Sequence, residues 1–223
     1  MTMLALAVVS AAMFALPAVA SAGEWVADNA TGKTFSVTKV TNPVLRASNG
    51  DVVTCTGLTG EGSYTSTTTG NITLDFTGCT EDKFGTKCTT NGAGTAGTIS
   101  VTNKVFHNVI IGSAADSNTP IGVLITSGGT FATFTCGGGL LEITVTGNVI
   151  GEVESPNCGV AGTTYNLNFE PVSAGSSTQK YLQVTTAGTA FDLVSDIAGT
   201  GFTSSQQGTG QIHLSGAVTP TCT

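Results

Sequence analysis

Three kinds of residue in this chain could do chemistry: paired carboxylates, two imidazoles and six thiols. Glu152 and Glu154 follow Gly151, and on an extended strand they share one face about 6.5–7 Å apart. Such a pair can cut a glycosidic bond when it flanks the substrate. The simpler reading is solvated charge on a strand edge, which discourages pairing with another chain. His107 and His213 are the only imidazoles, so a histidine general base must be one of them. His107 has the parity of Val105, Val109 and Ile111, which predicts a partly buried ring near Asn103 and Asn108. His213 falls on the polar face between Ile212 and Leu214. No G-x-S-x-G elbow raises a serine nucleophile. Asp192 and Asp196 read as surface charges, and no regular calcium loop is present.

Aromatic side chains could instead form a carbohydrate-binding platform. Trp25, Tyr64 and Tyr181 are the candidates, whereas Tyr165 shares parity with Leu167 and Phe169 and reads as core. Six cysteines without a C-x-x-C spacing, and with only two histidines, make a poor metal set. They read as disulfides. The expected pairing is Cys79–Cys88 as a clip around Thr80–Lys87, Cys55–Cys136 as a buried long-range bridge, and Cys158–Cys222 as a tie on the C-terminus. No metal or other cofactor is expected.

The elements that must position these residues are strands. Ile72, Leu74 and Phe76 alternate with Thr73, Asp75 and Thr77, and Leu141, Ile143 and Val145 alternate with Glu142, Thr144 and Thr146. Tyr165–Phe169 and Ile212–Leu214 repeat the pattern, as in antiparallel sheets with one buried face. Glycine-containing breaks at Gly70-Asn71, Gly128-Gly129, Gly137-Gly138-Gly139 and Ala187-Gly188 predict hairpins. Ile121–Val149 then reads as a three-stranded meander, and Gly112–Pro120, Pro171–Lys180 and Thr203–Gly210 as loops. The expected fold is all-β: an antiparallel β-sandwich or partly closed β-barrel stapled by disulfides. It is one domain over 23–223, with 159–223 readable as a C-terminal extension.

The N-terminus points to export. An apolar run, Leu4–Leu16, ends at Pro17 and leads into Ala18-Val19-Ala20-Ser21-Ala22, which reads as a signal peptide cut after Ala20 or Ala22. The run is shorter than the roughly 18–20 residues of a spanning helix. No Lys or Arg precedes it, so either the start lies upstream or the basic region is atypical. Charged residues are 9% and the net charge is -7, with seven scattered basic residues. That argues against nucleic-acid partners and against anionic membrane surfaces.

One constellation is recognisable. Gly78-Cys79, Lys87-Cys88-Thr89-Thr90-Asn91-Gly92-Ala93 and Gly97-Thr98-Ile99 form its first half. Phe134-Thr135-Cys136-Gly137-Gly138 and Val145-Thr146-Gly147-Asn148-Val149-Ile150-Gly151 form its second. Together, over roughly residues 51–153, they resemble a group of secreted, uncharacterised β-rich actinobacterial proteins. The resemblance implies location and fold class but no mechanism, and Cys158 and Cys222 depart from the group's usual cysteine set. The sequence thus favours a secreted or cell-envelope domain of non-enzymatic structural or binding type, with an extracellular or cell-wall ligand left open. A secreted glycan- or ester-active hydrolase is the alternative, and an envelope pore is a third.

Overall fold

The computed structural model describes residues 23–91, 95–111, 120–155, 158–181 and 192–222. The signal-peptide reading, the greater part of the 112–120 loop and the Ala187-Gly188 turn lie outside these residues. The fold is all-β and antiparallel. In chain order the strands are β1 (Trp25–Asp28), β2 (Thr34–Lys39), β3 (Val44–Ala47), β4 (Val52–Thr54), β5 (Gly57–Tyr64), β6 (Thr69–Thr77) and β7 (Thr80–Glu81). They continue with β8 (Thr86–Thr90), β9 (Ile99–Ile110), β10 (Ile121–Cys136), β11 (Leu141–Ser155), β12 (Gly162–Phe169), β13 (Leu193–Ile197) and β14 (Thr200–Cys222).

The alternating runs explain the inner and outer faces. Ile72 and Leu74 on β6, Ile143 and Val145 on β11, and Tyr165 and Leu167 on β12 are buried, while their polar neighbours stay partly wet. The Gly137–Leu140 turn joins β10 to β11 as the sequence predicts. Two expectations fail. Gly128-Gly129 is no hairpin turn, because β10 runs straight through it against β11. Their positive φ angles of 61° and 137° absorb extra residues as a bulge between Thr126 and Thr130. Thr203–Gly210 is no loop but the middle of β14, paired to β13, β3 and β12. The Gly70-Asn71 break is displaced: both residues are already in β6, opposite Tyr64 and Ser63, and the turn is 65–68.

Followed strand to strand, the pairing closes on itself twice. One ring runs β14, β2, β5, β6, β9, β10, β11, β12 and back to β14. The other runs β14, β3, β4, β7, β8, β10, β11, β13 and back to β14. Long strands β10, β11 and β14 belong to both, so the molecule is a barrel of two fused rings. Closure leaves few free edges to template pairing with other chains. The first ring is filled by Phe35, Tyr64 and Phe106, packed edge-to-face with centroids 5.0–6.1 Å apart. Gly62 and Gly70 carry no side chain where Phe35 and Phe106 lie on the backbone; a Cβ at either would collide.

The second ring is stapled. Val53 and Thr54 of β4 pair with Glu81 and Thr80 of β7, so the next pair along is Cys55 and Cys79. Thr80 pairs with Lys87, so Cys79 also lies opposite Cys88, and Cys88 pairs with Cys136. The result is a row of four buried cysteines across β4, β7, β8 and β10. The disulfides are Cys55–Cys79, Cys88–Cys136 and Cys158–Cys222. The first two replace the expected Cys79–Cys88 and Cys55–Cys136; the third is as expected. The Cys88 amide donates to the Cys79 carbonyl at 3.0 Å, which marks these two as a hydrogen-bonded pair. Such pairs stand further apart than non-hydrogen-bonded ones, and each cysteine bonds its other neighbour, with Cα atoms 3.9 and 4.0 Å apart.

Candidate functional site

The carboxylate candidates sit on the outer face of β11. Glu152 is away from any edge, paired with Gly122 of β10 and Asn168 of β12, which corrects the expectation of an edge charge there; Glu154 lies beyond the β10 pairing, at the irregularity opposite β12. Glu154 is exposed. Glu152 is engaged: it accepts the Tyr181 hydroxyl at 2.6 Å and lies 3.5 Å from the Lys180 ammonium. Lys180 pairs more closely with Glu170 at 2.8 Å and stands 5.1 Å over the Tyr181 ring. The hydrogen bond to Glu170 raises the Lys180 pKa and lowers that of Glu170. Burial first, then the bond to Glu152, raises that of Tyr181. The Tyr181 aromatic face is thus covered by a cation. This cluster pins the segment after β12 to the barrel wall.

His107 is half-buried on the outer face of β9, opposite Leu124, and burial lowers its pKa. Val109 pairs with Gly122, which pairs with Glu152. Two strands across and two residues along put the His107 and Glu152 backbones about 12 Å apart. The two groups do not converge. Of the aromatic candidates, Trp25 is only 2% exposed and donates its indole N–H to the Gly122 carbonyl at 2.9 Å. Tyr64 is buried in the Phe35–Phe106 cluster, and burial raises its pKa strongly. Tyr165 donates to the Val218 carbonyl at 2.6 Å, and burial pushes it up to about 12. Trp25 and Tyr64 are therefore core, not platform: both are buried in the cluster that includes Phe35, Phe106 and Tyr165. Asp192 is exposed, and Asp196 caps the β13–β14 turn by accepting the Gly199 amide at 2.8 Å.

On the outer face of β14, β2 and β5 a shallow groove is lined by His213, Ser36, Glu61 and neighbouring hydroxyls. Register sets these three side by side in the order His213, Ser36, Glu61. A serine between base and acid is the wrong order for a relay, in which the base lies between the two. The His213 Nε2 lies 3.3 Å from the Thr38 hydroxyl. Sequence reading saw His213 and missed the other two, since nothing local links residues 36, 61 and 213.

No protein-family model, curated protein or solved structure matches the chain.

A smaller and more enclosed space lies inside. Where the two rings meet, a partly enclosed cavity of about 90 Å³ is lined by apolar side chains including Val53, Ile125, Phe134, Val149 and Leu193. The Cys55–Cys79 bridge borders it through Cys55. The wall of β14 there is Gln206 to Gly210, part of the stretch that reads as loop in sequence. Beside the cavity the described strands change partners: β11 pairs with β13 through residue 147 and with β12 from residue 152, while β14 leaves β13 at 204 and meets β12 at 208. Phe169 and Leu193, the last residue of β12 and the first of β13, line the cavity there. The segment 171–181 is tied to β14 by a bond from the Ser205 hydroxyl to the Ser176 carbonyl at 2.7 Å. Within that segment Gln179 is 1% exposed, and neither its Nε2 nor its Oε1 has a hydrogen-bond partner.

Proposed function

We propose that this chain is a secreted or cell-envelope β-domain of non-enzymatic, binding or structural type. One observation carries the reading: the chain holds three disulfides, two of which, in a single buried row, staple the ring whose strands are shortest. Such bridges persist in oxidising, extracytoplasmic compartments. Support for a non-enzymatic role comes from the separation of His107 from Glu152 and from the hydrogen bond and ion pair that occupy Glu152. The pore reading is disfavoured because the described barrel is filled with apolar side chains, where membrane barrels have a polar interior. No helix among the described residues is long and apolar enough to cross a membrane.

Two measurements test this. Exported to an oxidising compartment, the chain should carry three bridges and melt cooperatively; made in a reducing cytoplasm, it should lose that melt. A fully reduced chain that is equally stable would refute the compartment argument. Purified protein should turn over neither polysaccharide nor ester panels, and turnover abolished by Glu154→Gln would establish the hydrolase alternative instead.

A further inference from the structure

We propose that the β7–β8 hairpin is a redox-released flap, freed when the bridges of the cysteine row slide one strand inward. Register places Cys55, Cys79, Cys88 and Cys136 side by side in that order, and each is at most 5% exposed. Both native bridges tie the hairpin to its surroundings: Cys55–Cys79 holds it to the end of β4, and Cys88–Cys136 holds it to β10. Apart from them it is held lightly. Two register pairs join β7 to β4 and three join β8 to β10. The tip adds an ion pair from the exposed Lys83 to Asp51 at 2.8 Å, a kind of contact that contributes little.

A third pairing is within reach. Cys79 and Cys88 face one another as a hydrogen-bonded pair, and such pairs stand about 5.5 Å apart between Cα atoms. That is inside the roughly 4.4–6.8 Å that a disulfide spans, so the backbone need not shift. Order in the row sets the direction of attack, because a Cys88 thiolate meets Cys79 from the side opposite Cys55. The reductant is a dithiol, and it enters at Cys136, which is followed directly by the exposed 138–140 turn. One of its sulfurs bonds Cys136 and expels Cys88 as thiolate; its second sulfur closes the dithiol's own disulfide and expels Cys136. The Cys88 thiolate then attacks Cys79. The Cys79–Cys88 bond forms, the Cys55–Cys79 bond breaks, and the dithiol's two protons end on Cys55 and Cys136. Two electrons thus undo both ties, because the bridge that remains lies within the hairpin.

The test starts from Cys136→Ala, which leaves one thiol in the row and needs no reductant. After acid trapping and N-ethylmaleimide labelling in denaturant, the label should divide between Cys88 and Cys55, with a Cys79–Cys88 peptide in the non-reducing map. Label on Cys88 alone would overturn the exchange. Cys55→Ala with Cys136→Ala holds the slid state. It should form Cys79–Cys88 and keep Cys158–Cys222, with faster amide exchange confined to Thr80–Thr90. Two free thiols there, or a bridge without faster exchange, would overturn the flap. If that variant does not fold, wild-type protein under limiting dithiothreitol gives the same readout. Cys55 and Cys136 labelled together support the slide, whereas labels confined to native partners overturn it. Either failure leaves the three native bridges, and with them the compartment reading, standing.

Discussion

At the level of single residues, the acid response of this protein is divided between an imidazole and a carboxylate. Burial holds His107 below its ordinary pKa, and Glu24 pulls it part of the way back. As pH falls through the unfolded value near 6.5 the unfolded chain takes up the proton first, so stability declines from there toward the lower folded value. Glu170 behaves differently. Its pKa is lowered by the Lys180 bond and then by Asn168, so its contribution is full above the unfolded value of 4.5 and disappears as pH falls through the folded value. His107→Gln should therefore flatten the fall in melting temperature that begins near pH 6.5, leaving the steeper loss below 4.5 in place. Melting curves at closely spaced pH values check it; an unchanged slope in the variant would assign that limb to other groups. Tyr181 and Lys180 fix Glu152 through one hydrogen bond and one ion pair, which explains why a carboxylate that looked free in sequence is occupied in space.

At the level of elements, the β7–β8 hairpin shows how register chooses a disulfide. Cys79 and Cys88 are the nearest cysteine pair in sequence after β6, and they do lie opposite one another, but on a hydrogen-bonded pair. Each is bridged to the strand on its other side. Non-reducing peptide mapping should yield Cys55–Cys79 and Cys88–Cys136. The chain-entropy model gives the three bridges, with sequence separations of 24, 48 and 64, roughly 3.5 to 4.3 kcal/mol each before strain. Cys88→Ala with Cys136→Ala should cost about 2–4 kcal/mol in denaturant melts; a loss under 1 kcal/mol would show that the bridge is redundant. The strands themselves were legible wherever a two-residue apolar period ran unbroken, as at Ile72–Phe76 and Tyr165–Phe169. They were illegible where the inner face is not apolar. On β14 the buried Ser204 bonds Ser195 at 2.8 Å instead of packing on carbon, and Gln206 to Gly210 border the cavity, so no apolar period marks residues 203–210 as strand. Gly128-Gly129 misled for a related reason: positive φ serves a bulge as well as a turn, and only the partner strand decides between them. The candidate site was hidden for the same cause. Val53, Ile125 and Gln206 come together through closure of the barrel, which no local pattern records.

At the level of the whole molecule, the two rings are filled unequally, and the difference sets stability against binding. The aromatic ring keeps a void of only about 30 Å³ beside Phe35, Tyr64 and Phe106, whereas the junction keeps one of about 90 Å³. At about 24 cal/mol per Å³, leaving 90 Å³ empty costs on the order of 2 kcal/mol. That is a large share of the ~5–15 kcal/mol that holds a domain folded. A void left by imperfect packing and a void kept for a ligand make opposite predictions when filled. Ala132 lies on the cavity wall at the end of the β10 bulge, where the backbone shifts register and has room to adjust. Ala132→Val should raise stability by about 1 kcal/mol, or about 2–4 °C in melting temperature for a chain this long. If the space is a site, the same substitution should weaken 1-butanol binding, so the two readouts move in opposite directions. Calorimetric melts with and without 1-butanol measure both at once. A variant that gains stability yet keeps the full ligand-induced rise in melting temperature would show that the alcohol binds elsewhere.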